Sequence, residues 1–175
     1  MPSRYRVPAG YAVGVLAVLM ARPNALSILL ALPLVAAGEA LRLWASGHIE
    51  KTRRLATGGP YAHTRNPLYV GSMLLALGFA TASASSWVVL AAAAYVLAFY
   101  PSVMREEASF LRQTFPEQYG LWARDVPLFL PRFGAAGPRE TTFSWQRVAA
   151  NREWRTAAAI PAVVALLVAR WWLAP

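Results

Sequence analysis

Charge is absent from four stretches of this chain, Val7 to Ala21, Pro23 to Gly38, Asn66 to Met104 and Thr156 to Ala169, and the residues within them are mostly apolar. A helix needs about 20 residues to cross a hydrocarbon core, roughly 17 at the short end, so the block from Asn66 to Met104 has room for two crossings. The small polar run TASASS in its middle reads as the turn between them. The pattern predicts five spans, at about 8–21, 25–45, 67–82, 86–103 and 157–173. The first and last are short enough to be buried helices of a soluble protein. The first two, however, are joined only by Arg22, Pro23 and Asn24, which reads as a tight helical hairpin.

The polar segments between these blocks carry their own expectations. Glu39 and Arg42 lie three apart near the end of the second span, on one helical face. They read as an ion pair near the interface with a snorkelling Arg42, or as one polar wall of a cavity. Trp44 reads as an interfacial anchor. From Ser46 to Arg65 the glycines at 47, 58 and 59 and Pro60 argue for a folded loop, with a short helical piece near Ile49 to Arg54. Pro67 suits the first turn of the third span and Asn66 its N-cap.

Beyond the fourth span, a polar helix with Phe110 and Leu111 interleaved leads into a Pro-punctuated loop. Its recurring aromatics, Phe115, Tyr119, Trp122, Phe129 and Phe133, read either as headgroup anchors or as a lid. Ala135 to Pro138 reads as a linker. Phe143 to Trp154 has the alternation of an amphipathic helix lying on a membrane, with Arg147, Arg152 and Arg155 towards lipid phosphate.

Composition agrees with a bilayer as solvent: 57% of residues are apolar and 14% charged, too hydrophobic a mixture for an ordinary soluble domain. The expected fold class is all-α integral membrane, a single domain over residues 1–175 with a cytosolic segment at 104–156. The net charge of +9 reads as topology rather than nucleic-acid binding. With the N-terminus cytosolic, Arg4, Arg6, Lys51, Arg53, Arg54, Arg65 and the basic residues from Arg105 to Arg155 share one side, while Arg22 and Arg170 lie opposite. Membrane lipids are therefore expected partners. The chain has no cysteine, which excludes disulfides and thiolate chemistry, and its two histidines, His48 and His63, argue against a His-rich metal site.

Four motifs recur in order: GPY at Gly59–Tyr61, RNPLY at Arg65–Tyr69, the pair Glu106 and Glu107 followed by Leu111, and VPLFLP at Val126–Pro131. Each is weak alone. Together they resemble the signature of the isoprenylcysteine carboxyl methyltransferase and phospholipid methyltransferase family of integral membrane enzymes, over about Ala45 to Arg132. The resemblance implies S-adenosylmethionine as cofactor, bound at the cytosolic face of a multi-pass protein of the bacterial inner membrane. It carries Tyr61, Asn66, Pro67, Leu68, Tyr69 and Glu106 over as cofactor contacts. By position, Ser46, His48, Arg53, Arg54, Leu55 and Ala56 follow, though those residues match poorly. Where prenylcysteine-modifying members have His, this chain has Asn66, which weakens any transfer of substrate.

The chemistry of these residue types is compatible. Tyr61 and Tyr69 offer ring faces and hydroxyls, and Glu106 or Glu107 can accept hydrogen bonds from a ribose or an ammonium group. Arg65 can pair with a carboxylate or with lipid phosphate. A carboxylate or thiolate acceptor needs no general base; an amine does, and Glu107 and His48 are the candidates. Asn151, Arg152 and Trp154, beside the bilayer, are the residues expected near a lipophilic acceptor. Two other readings stay open: a membrane reductase of the sterol type using NADPH, and a non-catalytic scaffold of the same superfamily.

Overall fold

The computed structural model describes residues 3–50, 53–137 and 141–173. Its elements are α1 (Ser3–Met20), α2 (Ala25–Ser46), a 3-10 turn (Gly59–Ala62), α3 (Pro67–Ala82), α4 (Ser86–Thr114), α5 (Pro116–Asp125), α6 (Trp145–Ala150) and α7 (Trp154–Leu173). Among the described residues there is no strand, only one isolated antiparallel bridge between Glu50 and Arg54. The protein is an all-α membrane protein. Three helices, α2, α4 and α7, are long and apolar enough to cross a bilayer. The apolar part of α1, Val7–Met20, and α3 are shorter. At 1.5 Å per residue, the 16 residues of α3 rise about 24 Å, less than the roughly 30 Å of a typical hydrocarbon core.

By their internal contacts the residues divide into two units. One comprises Met1–Gly38, Met73–Val103 and Thr156–Pro175; the other comprises Glu39–Ser72 and Met104–Arg155. The first is the apolar one. Its small core joins Ala31 of α2, Phe79 and Ala82 of α3, and Val163 and Leu167 of α7 around Ala21. Close approach is possible because of a missing side chain: a Cβ on Gly78 would lie 2.6 Å from Cγ2 of Val35, so α2 and α3 meet where α3 has none. The opposite faces present Leu29, Leu30, Leu90, Leu97 and Leu166 outward, a surface that only lipid would solvate without cost.

The expected hairpin between α1 and α2 is present. Asn24 caps α2 reciprocally with Ser27: the Ser27 amide donates to Asn24 Oδ1 at 2.9 Å, and the Asn24 amide donates to Ser27 Oγ at 3.0 Å. The Ser27 hydroxyl reaches the Ala82 carbonyl at 3.0 Å, and the Arg22 amide reaches the Ser83 carbonyl at 2.7 Å, which ties this hairpin to the α3–α4 turn. That turn falls where TASASS predicts it, with Ala84 at φ 47°.

The second unit corrects several expectations. The polar helix expected beyond the fourth span is present and runs on from it without a break: α4 continues to Thr114 and carries Glu106 and Glu107 on its regular backbone. Where a helical piece is expected near Ile49 to Arg54, the described residues show a turn, with the Arg53 and Arg54 amides both donating to the Glu50 carbonyl. Lys51 and Thr52, inside that stretch, lie outside the described residues. The amphipathic helix expected from Phe143 to Trp154 is only six residues long, because the chain turns at Asn151–Glu153, where Arg152 takes φ 59°. Arg147 is not turned to lipid: Nε and Nη2 donate to Glu50 Oε1 at 2.9 and 2.5 Å. Arg155 stacks over the Trp154 ring, 5.6 Å from its centroid.

Nor are the recurring aromatics a uniform belt. Tyr119 and Trp122 are almost completely buried and form this unit's core with Ala45, Leu55, Tyr61 and Val126, while Phe115 packs against that core and Phe133 is fully exposed. α5 is amphipathic, so two aromatics three residues apart fall on its inner face. Ala136 is likewise no free linker: its amide donates to the Ala62 carbonyl at 2.9 Å and its side chain packs on the core. Pro138, the far end of the expected linker, lies outside the described residues.

Candidate functional site

Two motifs that lie far apart in the sequence, RNPLY and VPLFLP, are bonded to one another inside the second unit. The segment 62–66 runs beside 127–136, joined by hydrogen bonds from the Arg65 amide to the Pro127 carbonyl (2.9 Å), from the Arg132 amide to the His63 carbonyl (3.0 Å) and from the Ala136 amide to the Ala62 carbonyl. Side chains reinforce the pairing. The Thr64 hydroxyl donates to the Phe129 carbonyl at 2.7 Å, and the Asn66 amide group donates to the Leu128 carbonyl at 2.8 Å. The Asn66 carbonyl accepts the first backbone bonds of α3, from Tyr69 and Val70, so Asn66 stands at the helix start as expected while its side chain holds the VPLFLP segment.

The GGPY turn is held as tightly. Gly59 has φ +56°, and a Cβ there would sit 2.5 Å from Nε2 of His48; one on Gly58 would collide with the Thr141 carbonyl. The Gly58 amide donates to Thr141 Oγ1 at 2.9 Å. The result is a buried Tyr61 on the 3-10 turn, whose carbonyl accepts the Trp122 indole N–H at 2.9 Å. Burial pushes the Tyr61 phenol well above its usual 10.0; the carboxylates of Glu107 and Glu153 push it further, Arg42 opposes them, and Tyr69 adds a smaller push. Tyr61, Tyr69, Glu107, Glu153 and Arg42 therefore share one electrostatic neighbourhood.

Arg42 is the second correction of substance. Its partner is not Glu39 but Glu153, 111 positions away: Nε donates to Glu153 Oε1 at 2.7 Å, and Nη2 lies 2.6 Å from the same oxygen. Nη1 reaches the Leu68 carbonyl at 3.4 Å and the Ser72 hydroxyl. Among the described residues, Glu39 has both carboxylate oxygens shut from solvent and without a hydrogen-bond partner, and Arg65 Nε is in the same condition. Arg65 Nη1, by contrast, donates to the Tyr119 hydroxyl at 2.9 Å.

The remaining candidates occupy defined places. His48 is buried, and its Nδ1 lies 2.9 Å from the Trp44 carbonyl; an N–H must therefore sit on Nδ1, which leaves Nε2 against Gly59 as the basic nitrogen of the neutral ring. Leu55 is in the core, Ala56 and Leu68 pack against it, and Pro67 is fully buried at the first position of α3. Glu106 and Glu107 are exposed on α4. Asn151 fastens the loop by donating from Nδ2 to the Ser46 and Ile49 carbonyls, both at 3.0 Å, while Arg152 and Trp154 are exposed. Sequence reasoning missed Glu153 and Thr141 altogether. An acidic residue within the basic run NREWR is the one hint Glu153 gave.

Comparison with known proteins points the same way as these motifs. Residues 11–118 match the model of the phospholipid methyltransferase family. The cobalt-zinc-cadmium resistance protein CzcN of Cupriavidus metallidurans is 39% identical over 121 residues, which cover 65% of this chain and 55% of that protein. The nickel-cobalt-cadmium resistance protein NccN of Alcaligenes xylosoxydans xylosoxydans is 36% identical with the same coverage. The chain thus spans about half the length of the curated relatives it matches. No solved structure matches it. The family match covers more than half of the chain and takes in the GPY turn, the RNPLY step and the double glutamate, and by it the chain belongs to the phospholipid methyltransferase family.

Proposed function

We propose that the protein transfers a methyl group from S-adenosylmethionine to a lipophilic acceptor at the cytosolic face of a bacterial inner membrane. The observation that supports it best is that two buried polar groups of the second unit, the Glu39 carboxylate and Arg65 Nε, have no hydrogen-bond partner among the described residues. Buried polar atoms are nearly always bonded, so an orphaned acceptor and an orphaned donor of opposite charge suit a ligand that is itself zwitterionic. The amino acid head of the cofactor has that character. Tyr61 and Tyr69 would offer ring faces, Glu106 would accept ribose hydroxyls or the ammonium group, and Arg65 would meet the carboxylate.

The cofactor supplies an activated methyl group on a sulfonium. What the chain contributes is alignment and the exclusion of water, because a tightly clamped sulfonium would stabilise the ground state rather than the transition state. Alignment alone can be worth about 7 to 11 kcal/mol. For an amine acceptor, His48 Nε2 or Glu107 would take the proton; a carboxylate or thiolate would need neither. Asn151, Arg152 and Trp154 remain the proposed acceptor side. The names of the two relatives concern metal resistance, and in that setting the proposed role is methylation of an acceptor that aids tolerance; the cysteine-free sequence offers no thiolate for metal binding.

Isothermal titration with S-adenosylhomocysteine in detergent tests the cofactor. Loss of the Glu106 charge in Glu106→Gln should weaken binding by about 10-fold to 150-fold, the cost of a charge-assisted hydrogen bond of roughly 1.5 to 3 kcal/mol, while Glu117→Gln, on α5 outside the proposed site, leaves it unchanged. Wild-type affinity in Glu106→Gln would remove that residue from the site. Binding of NADPH instead would favour a reductase, and binding of neither would favour a scaffold. Incubation of membrane lipid extracts with radiolabelled S-adenosylmethionine, followed by mass spectrometry of the labelled product, identifies the acceptor.

A further inference from the structure

The distribution of charge between the two units is unequal in a way that calls for a ligand. All eight acidic residues belong to the second unit, and the first contains four basic residues, Arg4, Arg6, Arg22 and Arg170, with no Asp or Glu. Two of the four, Arg22 and Arg170, line one recess of about 450 Å³ at the end of the first unit where α1, α3 and α7 finish and α2 and α4 begin. Arg170 is held there by bonds to the last turn of α1 and the residue just beyond it, with Nε donating to the Ala21 carbonyl at 3.1 Å and Nη2 to the Leu19 carbonyl at 2.9 Å. Arg22 is exposed, and among the described residues its guanidinium has no partner. Ser85 and Ser86 add hydroxyls to the same recess, and Trp87, which also lines it, is 65% exposed, the disposition of a side chain at a membrane–water interface.

The recess does not end in protein. Leu19 also lines an apolar groove of about 520 Å³, whose walls are Gly10, Gly14 and Ala17 of α1, Phe79 of α3, and Val163 and Leu167 of α7. Small residues along α1 open this groove. A Cβ on Gly14 would meet nothing within 4 Å. A cationic, hydroxyl-lined recess continuous with an apolar groove matches one kind of molecule, with an anionic head and a hydrocarbon tail.

We infer that the first unit binds one anionic phospholipid, its phosphate between Arg22 and Arg170 and an acyl chain in the groove between α1, α3 and α7. The lipid supplies the counter-charge that this unit's own sequence lacks, and it packs α1, whose apolar part is short and much of whose surface is exposed, against α3 and α7. A soluble anion would satisfy the arginines and leave the groove unfilled; a neutral lipid would do the reverse. The assignment is independent of methyl transfer, which is proposed for the second unit.

The test is thermal unfolding of the purified protein in a neutral detergent, titrated with phosphatidylglycerol, with phosphatidylcholine of the same acyl chains, or with glycerol phosphate. Phosphatidylglycerol should raise the midpoint saturably, and the other two should not. Arg22→Gln should raise the half-saturating phosphatidylglycerol concentration about fivefold, the contribution of one cation at an acidic lipid surface. Gly14→Leu, whose side chain would project into the groove, should weaken the same response while leaving the lipid-free midpoint close to wild type. Equal effects of the two lipids would reduce the groove to ordinary solvation by the bilayer and overturn the proposal. So would glycerol phosphate matching phosphatidylglycerol, or a wild-type response in either variant.

Discussion

Breaking the Arg42–Glu153 pair is the sharpest probe of how the second unit is held together, since it connects α2 to the chain just before α7. Both guanidinium contacts, at 2.7 and 2.6 Å, fall on one oxygen, Oε1 of Glu153, and the side chains retain only 18% and 7% exposure. Removing one member of a buried pair typically costs about 3 to 5 kcal/mol, because the other charge is left without compensation. Glu153→Gln should cost less, roughly 1.5 to 3 kcal/mol, since the amide oxygen still accepts and Arg42 keeps Ser72 and the Leu68 carbonyl. Replacing both residues by methionine should recover much of the loss, as well-packed apolar pairs often equal buried ion pairs. Equilibrium unfolding in mixed micelles, run as a double-mutant cycle, reads the coupling directly. Arg147–Glu50 is the control: its side chains are 23% and 34% exposed, so its coupling should stay below about 1 kcal/mol. A coupling below about 0.5 kcal/mol for Arg42–Glu153 would refute the claim that this pair organises the unit.

Three further expectations follow from particular residues. The Tyr61 phenol has a higher proton affinity folded than unfolded, so its contribution to stability is complete below pH 10 and is lost as the pH rises further; wild type should lose stability more steeply than Tyr61→Phe between pH 10 and 11, and parallel curves would contradict the burial of that hydroxyl. Gly58→Ala must displace the Thr141 backbone and should destabilise by about 1 to 3 kcal/mol, measured by thermal unfolding, whereas Gly120→Ala, on an open face of α5, should be neutral or slightly stabilising. Reporters fused after Arg132 and after Leu173 should report opposite sides of the membrane, the first cytosolic; the same side for both would remove α7 from the spans.

Hydropathy is a local property, so what it governs was legible in the amino-acid sequence. The five expected apolar segments coincide with the helices α1, α2, α3, α7 and the first part of α4, of which α2, α4 and α7 are long and apolar enough to cross a bilayer; the Arg22–Asn24 hairpin and the TASASS turn fall where short polar runs interrupt apolar ones. Pro67 could begin a helix because its missing N–H costs nothing there, and the motif order was enough to reach the family. Partner choice is not local, and only the tertiary structure decided it. Glu39 and Arg42 had the right spacing for an ion pair, yet Arg42 turned to a carboxylate 111 residues away because α2 passes beside the start of α7's chain, a proximity no helical periodicity encodes. Tyr119 and Trp122 read equally as headgroup anchors or as a lid, whereas α5 folds them inward against Tyr61, and Arg147 read as a lipid contact, whereas the loop brings it Glu50. Charge pattern and aromatic spacing state what a side chain can pair with; which pair forms depends on which backbone segments the fold brings within about 3 Å, as it brought 62–66 beside 127–136.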